Sequence, residues 1–228
     1  MKLPRRRPAS PKKTAVGGSP EATRAALLQA ATAVFVASGY EQARVRDIAE
    51  RAGANVAAIN YHFGSKEALY LEVLRRQASE RIERYPLPDP AQSATPEAAL
   101  QAALTMLLSR LLADDQRGFV PKLLMRELLA PSAALPAMVQ DVIAPQFRQL
   151  SAVVTALLGP RADAATIQRC TFSLVSQCMF YLFARPLVQT LAPQTYDDGA
   201  VARLSAHIAQ FSLGALRAQR ELLERADA

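Results

Sequence analysis

The sequence has few of the side chains on which most enzyme chemistry depends. Its 228 residues include two histidines, two cysteines and no tryptophan. The histidines, His62 and His207, lie far apart, and no cysteine has a histidine near it in the sequence. Glycine-rich phosphate loops, GxSxG and HExxH motifs and cysteine pairs at zinc spacing are missing. We therefore expect a protein that is not an enzyme and that needs no metal ion or cofactor.

Long uninterrupted apolar runs are also missing, although half of the residues are hydrophobic. A membrane-spanning helix needs about 18 or more such residues, so no span and no membrane partner are expected. The basic N-terminal segment lacks the apolar central region of a secretory signal. Without an export signal, Cys170 and Cys178 are expected to be reduced and buried. The sequence predicts a cytoplasmic protein of one or two domains.

The net charge of +7 is concentrated at the N-terminus. Residues 1–18 contain six basic residues and no acidic residue. A segment with Pro, Gly and little apolar surface is not expected to fold, so residues 1–20 are interpreted as a disordered basic tail. Two roles for this tail remain open. It is either a leader that increases solubility or an arm that contacts DNA phosphates or the minor groove.

The most informative stretch runs from Arg44 to Lys66 and reads RVRDIAERAGANVAAINYHFGSK. Apolar residues at helical spacing begin at Val45 and end before Gly53, which accepts the left-handed backbone conformation of a tight turn. Asn55 follows and can cap a second helix. Two short helices, joined by a turn of about three or four residues, are typical of a helix-turn-helix. The second helix of such a unit enters the DNA major groove.

The segment from about Thr23 to Tyr70 resembles the DNA-binding domain of the TetR family of transcriptional regulators. The resemblance rests on ALLQAATAVFVASGYEQARVRDIAERAGANVAAINYHFGSKEALY, in one uninterrupted register. It implies an all-α protein in which residues 21–70 form a helix-turn-helix DNA-binding domain. A linking helix would run on to about residue 85. Family members often open the helix near Val45 with Thr or Ser, whereas this chain has Ala43-Arg44.

Polar and small side chains in this domain are candidates for DNA contact. Asn, Tyr and His can hydrogen-bond to base edges or phosphates, while Val and Ala can pack against thymine methyl groups. Lys66 follows Ser65 in the first turn of the linking helix, where backbone N–H groups favour a phosphate. Tyr61 and His62 could instead pack the turn, and Phe63 is assigned to the core. The predicted DNA-binding residues are Arg44, Arg46, Asn55, Val56, Ala57, Asn60, Tyr61, His62 and Lys66.

The rest of the chain, residues 91–228, is interpreted as a helical ligand-binding and dimerisation domain. Its predicted helices are 96–113, 119–130, 135–158, 164–191 and 199–225, with no strand-like alternation between them. The stretch TFSLVSQCMFYLF at 171–183 is apolar over most of its circumference. Such a helix is expected to be buried on nearly all sides, at a dimer seam, a ligand cavity or both.

Two stretches of this domain, RELLAPSAALPAMVQDVIAPQFRQLSAVVTALLG and QCMFYLFARPL, are similar to the C-terminal domain of a TetR subgroup called CecR-like. Members of that subgroup are associated with control of efflux and drug-sensitivity genes. The resemblance implies a homodimer in which the helices at 164–191 and 199–225 pair with their copies.

Candidate ligand-binding residues are mainly apolar or aromatic, as expected of a pocket for a small molecule. For each residue taken singly, ordinary core or dimer packing is the favoured interpretation. Arg126 beside Glu127 is interpreted as an ion pair on a helix surface or interface, and Arg185-Pro186 as a kink or helix end. His207 is assigned to an interface. The predicted ligand-binding residues are Met125, Phe147, Phe172, Gln177, Phe180 and Tyr181.

Two functions remain open from the sequence. The first is a homodimeric repressor of efflux or detoxification genes that binds a palindromic operator in double-stranded DNA. A small, largely apolar effector would release it. The second is an all-helical dimerisation or scaffold protein whose head has lost DNA binding. The sequence Asn60-Tyr61-His62 and the nearby Lys66 favour the first function.

Overall fold

The computed structural model describes residues 19–112 and 119–225, and no strand occurs among them. The predicted all-α fold is confirmed. The predicted disordered tail lies outside the described residues except for Ser19 and Pro20. The helices, in chain order, are α1 Pro20–Gln42, α2 Val45–Arg51, α3 Val56–Phe63, α4 Lys66–Arg84, α5 Pro96–Leu112, α6 Phe119–Leu129, α7 Leu135–Met138, α8 Ala144–Leu158, α9 Ala164–Phe183, α10 Arg185–Leu191 and α11 Ala200–Arg225.

The chain divides into two compact units, Met1–Leu69 and Tyr70–Ala228, and the division falls within α4. We call the first unit the head and the second the body. In the described ranges, no helix combines the length and the apolar character needed to cross a membrane.

The head is built on a small apolar core contributed by every one of its helices. Helix α1 begins where the Ser19 hydroxyl accepts a hydrogen bond from the Ala22 backbone N–H at 3.2 Å, a typical N-cap. The core side chains come from α1 to α4 and are completely or almost completely buried, and they include Leu27, Leu28, Phe35, Ile48, Ile59 and Leu69. This core holds α2 and α3 in place.

Helix α1 consists of two helical pieces joined by a kink at Gly39. The residue type predicts this break, since glycine after Ser38 is a typical helix end. Gly39 alone departs from helical geometry, with φ 76° and ψ 176°. Because glycine tolerates positive φ, the chain kinks there and helical structure resumes afterwards.

Two long helices predicted for the body are interrupted in the structure. A π-helical segment, Val139–Ile143, separates α7 from α8 within the predicted helix 135–158. The predicted helix 164–191 breaks at Ala184, which has φ −92° and ψ 16°. Pro186 follows in the first turn of α10, where its missing N–H costs no helical hydrogen bond. The interpretation of Arg185-Pro186 as a helix boundary is confirmed.

Four helices, α5, α8, α9 and α11, form the hydrophobic core of the body. Leucine dominates it: Leu100, Leu104 and Leu108 of α5 are fully buried. Leu174 and Cys178 of α9 pack into the same cluster. Cys178 is therefore buried as predicted, whereas Cys170 is only half-buried.

Candidate nucleic-acid interface

The turn between α2 and α3 has the geometry that the sequence predicts. Gly53 has φ 66°, a conformation that a residue with a Cβ rarely adopts. Immediately before α3, the Asn55 side-chain oxygen accepts a hydrogen bond from the Ala58 backbone N–H at 2.8 Å. Ile59 of α3 is fully buried and fixes the rotation of the helix about its axis. One face of α3 is consequently directed to solvent.

That outward face consists of Val56, Ala57, Asn60 and Tyr61, which we call the α3 ridge. All four residues are exposed, and Tyr61 is 81% exposed. A large aromatic ring that is so exposed does not help to pack the chain's own core. The ridge combines an amide, a phenol and two small apolar groups, which suit hydrogen bonding to base edges and contact with thymine methyl groups.

His62 lies at the edge of the α3 ridge and is half-buried. Its ring meets the Tyr61 ring edge-on, with the centroids 4.9 Å apart, and lies 6.3 Å from the Phe63 ring. Phe63 is also half-buried, with the Arg24 guanidinium carbon 5.0 Å from its ring centroid. Phe63 therefore lies at the edge of the head's core, whereas the sequence assigned it to the core itself. His62 supports Tyr61 from one side.

The two arginines beside α2 are exposed. Arg44 precedes the helix and makes no side-chain capping hydrogen bond, so the capping hydroxyl common in the family is not replaced here. Arg46 pairs with Glu50 one turn later at 2.9 Å, and this hydrogen bond raises the pKa of Arg46. Exposed pairs of this kind contribute little stability. Arg46 can therefore exchange Glu50 for a phosphate at little cost.

Lys66 is more constrained than the sequence suggests. Its ammonium donates to the Glu41 carbonyl at 3.3 Å and lies 4.5 Å from the centre of the Tyr40 ring. Ser65 caps α4 by accepting from the Ala68 backbone N–H at 3.0 Å. Lys66 thus ties the start of α4 to the end of α1. A phosphate contact by Lys66 stays a prediction.

The predicted ligand-binding residues fall into three places in the body. The rings of Phe147 and Phe172 contact each other, with centroids 4.8 Å apart. Met125 lies on α6 and is half-buried. Three others line an open groove of about 410 Å³ between α9 and α11, whose lining residues are Ser176, Gln177, Phe180, Tyr181, His207 and Ile208. Their role in ligand binding stays a prediction.

The expectation that the stretch 171–183 is buried on nearly all sides does not hold within one chain. Phe172, Phe180 and Phe183 are 61%, 52% and 38% exposed, and Phe211 of α11 is 65% exposed. The cause is that α9 and α11 turn only their inner faces toward the core. We call this exposed surface, with Phe172, Phe180, Phe183 and Phe211, the outer aromatic face.

Arg81, Arg110 and Glu127 of the body are charged and buried, which the sequence did not indicate. Glu127 was assigned with Arg126 to an ion pair on a helix surface or interface, but it is 1% exposed and accepts hydrogen bonds from Tyr70 and Ser132. Arg110 is 7% exposed and donates to Tyr85 and Gln146. Tyr70 lies 57 residues from Glu127, and Tyr85 and Gln146 lie 25 and 36 residues from Arg110, so no local pattern indicates these partners.

The head and the body each match a known family description. Residues 27–73 match "Bacterial regulatory proteins, tetR family", and residues 96–216 match the C-terminal domain of the HTH-type transcriptional dual regulator CecR. CecR of Shigella flexneri is 32% identical over 173 residues, covering 71% of this chain and 76% of CecR. The chain belongs to the TetR family of transcriptional regulators. Both resemblances drawn from the sequence are thereby confirmed.

Other relatives of this TetR-family chain match over different lengths. The repressor AcnR of Corynebacterium efficiens is 39% identical over 69 residues, covering 30% of this chain and 37% of AcnR. The crystal structure of FadR from Bacillus subtilis in complex with stearoyl-CoA has a TM-score of 0.60 at 20% identity, covering 83% of this chain and 97% of FadR. HlyIIR, a hemolysin II transcriptional regulator, has a TM-score of 0.56 at 24% identity, covering 83% of this chain and 98% of HlyIIR. These structures share the fold.

Proposed function

We propose that this TetR-family regulator is a repressor that binds a palindromic operator in double-stranded DNA through the α3 ridge. The observation that carries the proposal is the exposure of Asn60 and Tyr61 on a helix whose opposite side is anchored by the buried Ile59. Side chains on such a helix can reach base edges in the major groove. Arg44 and Arg46, exposed beside α2, would add contacts to phosphates.

A palindromic operator requires two heads, and the outer aromatic face provides a surface for pairing two chains. Phe172, Phe180 and Phe211 are each more than half exposed on α9 and α11. Large apolar side chains that stay exposed on neighbouring helices are typical of a protein interface. Two copies related by a two-fold axis would bury it in a four-helix arrangement. His207, exposed and with its ring centroid 6.3 Å from that of Phe211, would belong to that interface.

A small effector that binds the body would release the dimer from DNA. FadR, which shares the fold, was crystallised with stearoyl-CoA, and this supports a body that accepts a molecule with a long apolar part. To act as a switch, the effector must bind the released conformation more tightly than the DNA-bound one. Efflux or detoxification genes are proposed as targets because the resemblance to the CecR-like subgroup implies them. Such a regulator works in the cytoplasm.

The experiment that tests this function maps where the chain binds across its source genome. Specific fragments would then be tested by gel shift against excess unrelated competitor DNA. We expect a shifted band that resists the competitor and that contains an inverted repeat. If no fragment gives a competitor-resistant band, the chain is an all-helical dimerisation or scaffold protein with a vestigial head.

A further inference from the structure

A wide helical turn lies between α7 and α8. In the π-helical segment Val139–Ile143, which we call the π turn, the Ala144 backbone N–H donates to the Val139 carbonyl, five residues earlier. In an α-helix this N–H would donate to the fourth residue back, so the π turn holds one residue more than an α turn. Single π turns inside helices often occur at functional sites.

Pro145 gives a reason for a wide turn at this place. It lies in the first turn of α8, directly after the π turn. Proline has no backbone N–H, so Pro145 cannot donate to the carbonyl of Asp141, and its ring crowds that carbonyl. An α turn would bring these two groups together. The sequence therefore favours the wider turn, and a residue with a backbone N–H at position 145 would remove this preference.

An ion pair joins the π turn to α4. Arg75 of α4 donates through Nε and Nη2 to one carboxylate oxygen of Asp141, with a distance of 2.9 Å from Nε. The two side chains are 45% and 43% exposed. Water can solvate both charges when they separate, so breaking the pair costs little free energy.

A second contact attaches α4 to the same stretch of the body. The Tyr70 hydroxyl donates to the Glu127 carboxylate, and both residues are buried. Separating them would leave a buried carboxylate oxygen without its donor, which is costly. Tyr70 and Arg75 are about 7.5 Å apart along the axis of α4. Helix α4 therefore has one fixed contact with the body and, close to it, one contact that can be released.

We propose that the π turn is a switch element that controls α4 in this regulator. When the π turn converts to an α turn, the helix before it rotates by about 100° relative to α8, because one residue leaves the turn. Asp141 then moves away from Arg75, and α4 pivots about its fixed contact at Tyr70. Helix α4 also contributes Leu69 to the core of the head, so the change can reach the α3 ridge. This inference rests on the proposed function, in which a change in the body releases DNA.

Hydrogen exchange of the full chain without DNA, followed by mass spectrometry, tests the coupling between the π turn and α4. Pro145→Ala restores a backbone N–H, so we expect amides 139–144 to exchange more slowly. Amides 76–84 of α4 should exchange about twofold or more faster, because the ion pair that holds this part of the helix is released. The matched control is Pro136→Ala, which changes an exposed proline in the first turn of α7 and should leave the exchange of α4 unchanged.

Asp141→Asn breaks the ion pair directly and should accelerate exchange of amides 76–84 to the same extent. In this background, Pro145→Ala should have no further effect on α4. An unchanged α4 in either single variant, or an effect of Pro145→Ala that persists in the Asp141→Asn background, would overturn the inference. Should Pro145→Ala not fold by circular dichroism, Arg75→Gln replaces it, since it changes only an exposed partner of the pair and should accelerate the same amides.

A double-mutant cycle on operator affinity tests the consequence for DNA binding, by fluorescence anisotropy with an operator found by genome mapping. Arg75→Gln and Asp141→Asn should each change the affinity by about twofold or more. The double variant should change it no further, because both substitutions remove the same contact. The control cycle uses Arg76→Gln and Glu80→Gln, which break an exposed ion pair of 3.0 Å within α4 and should leave the affinity unchanged. Independent effects of Arg75→Gln and Asp141→Asn, or none, would contradict the switch.

The two measurements separate this inference from the proposed function. If the chain binds DNA specifically but hydrogen exchange shows no coupling, the π turn is not the switch and the repressor remains. If the chain binds no DNA specifically, the proposed function fails, and hydrogen exchange still decides whether the π turn controls α4.

Discussion

The hydroxyl of Tyr70 donates a 2.9 Å hydrogen bond to the carboxylate of Glu127, and both residues are only 1% exposed. The second carboxylate oxygen accepts from the Ser132 backbone N–H at 2.8 Å and from its hydroxyl at 2.7 Å. The carboxylate is thus satisfied on both sides. Buried networks of this kind specify one arrangement, because losing one member leaves another without a partner. The pair joins α4 to α6 within the body.

Tyr70→Phe should destabilise the protein by about 1–2 kcal/mol, because it leaves one buried Glu127 oxygen without its donor. For a chain of this size that corresponds to a fall in Tm of roughly 2–8 °C. Differential scanning calorimetry measures it. The matched control is Tyr61→Phe, which removes a hydroxyl from an exposed ring and should leave Tm unchanged. A Tyr70→Phe variant as stable as the wild type would show that the hydrogen bond contributes nothing.

Tyr61→Ala should weaken operator binding by about tenfold or more, because it removes the most exposed side chain of the α3 ridge. Fluorescence anisotropy with a labelled operator measures the affinity, and sedimentation velocity checks that the oligomeric state is unchanged. Gln29→Ala, at an exposed position of α1 in the same unit, serves as the control. Unaltered affinity in Tyr61→Ala would show that the ridge is not the recognition surface.

Phe211→Asp should convert the dimer to a monomer without reducing the stability of a single chain. Phe211 is 65% exposed, so the new carboxylate is solvated in the monomer but would be buried in the dimer. Light scattering after size-exclusion chromatography measures the mass. Leu129→Asp changes a residue that is 80% exposed on α6, outside the outer aromatic face, and should leave the dimer intact. A Phe211→Asp dimer of unchanged affinity would place the interface elsewhere.

Deletion of residues 1–18 should flatten the dependence of operator affinity on salt if the basic tail acts as a DNA-binding arm. Each phosphate neutralised contributes about 0.9 to the slope of log affinity against log salt. The six basic residues of this segment therefore set an upper limit on the change. Anisotropy titrations at several salt concentrations measure the slope. An unchanged slope would remove the tail from the DNA-binding mechanism and favour its role in solubility.

The two cysteines should differ in their reactivity toward thiol reagents. Burial raises the pKa of the Cys178 thiol to about 12, so almost no reactive thiolate forms at pH 8. Burial also raises the pKa of the half-buried Cys170, but to a smaller extent. We expect Cys170 to be labelled slowly in the native protein and Cys178 only after unfolding, as followed by mass spectrometry. Labelling of both at equal rates would contradict the packing of α9.

The helix-turn-helix could be predicted from the sequence because its determinants are local. Gly53 and Asn55 act on backbone groups within a few residues, so the turn and the cap follow from residue type and spacing. The break before Pro186 is local as well. The family resemblance added the register of the head and the interpretation of α3 as a recognition helix.

The body's sites depended on tertiary structure because their partners are far apart in the chain. The hydrogen-bonded residues Tyr70 and Glu127 are 57 positions apart in the sequence, and Arg110 and Gln146 are 36 positions apart. Apolar periodicity shows which side of a helix is buried but not which helix covers it. The pattern of α9 therefore predicted burial for Phe172 and Phe180, which lie exposed on a single chain. Sequence alone determined the all-helical fold and the helix-turn-helix. Only tertiary packing decided which charged residues are buried and which aromatic residues stay exposed to solvent.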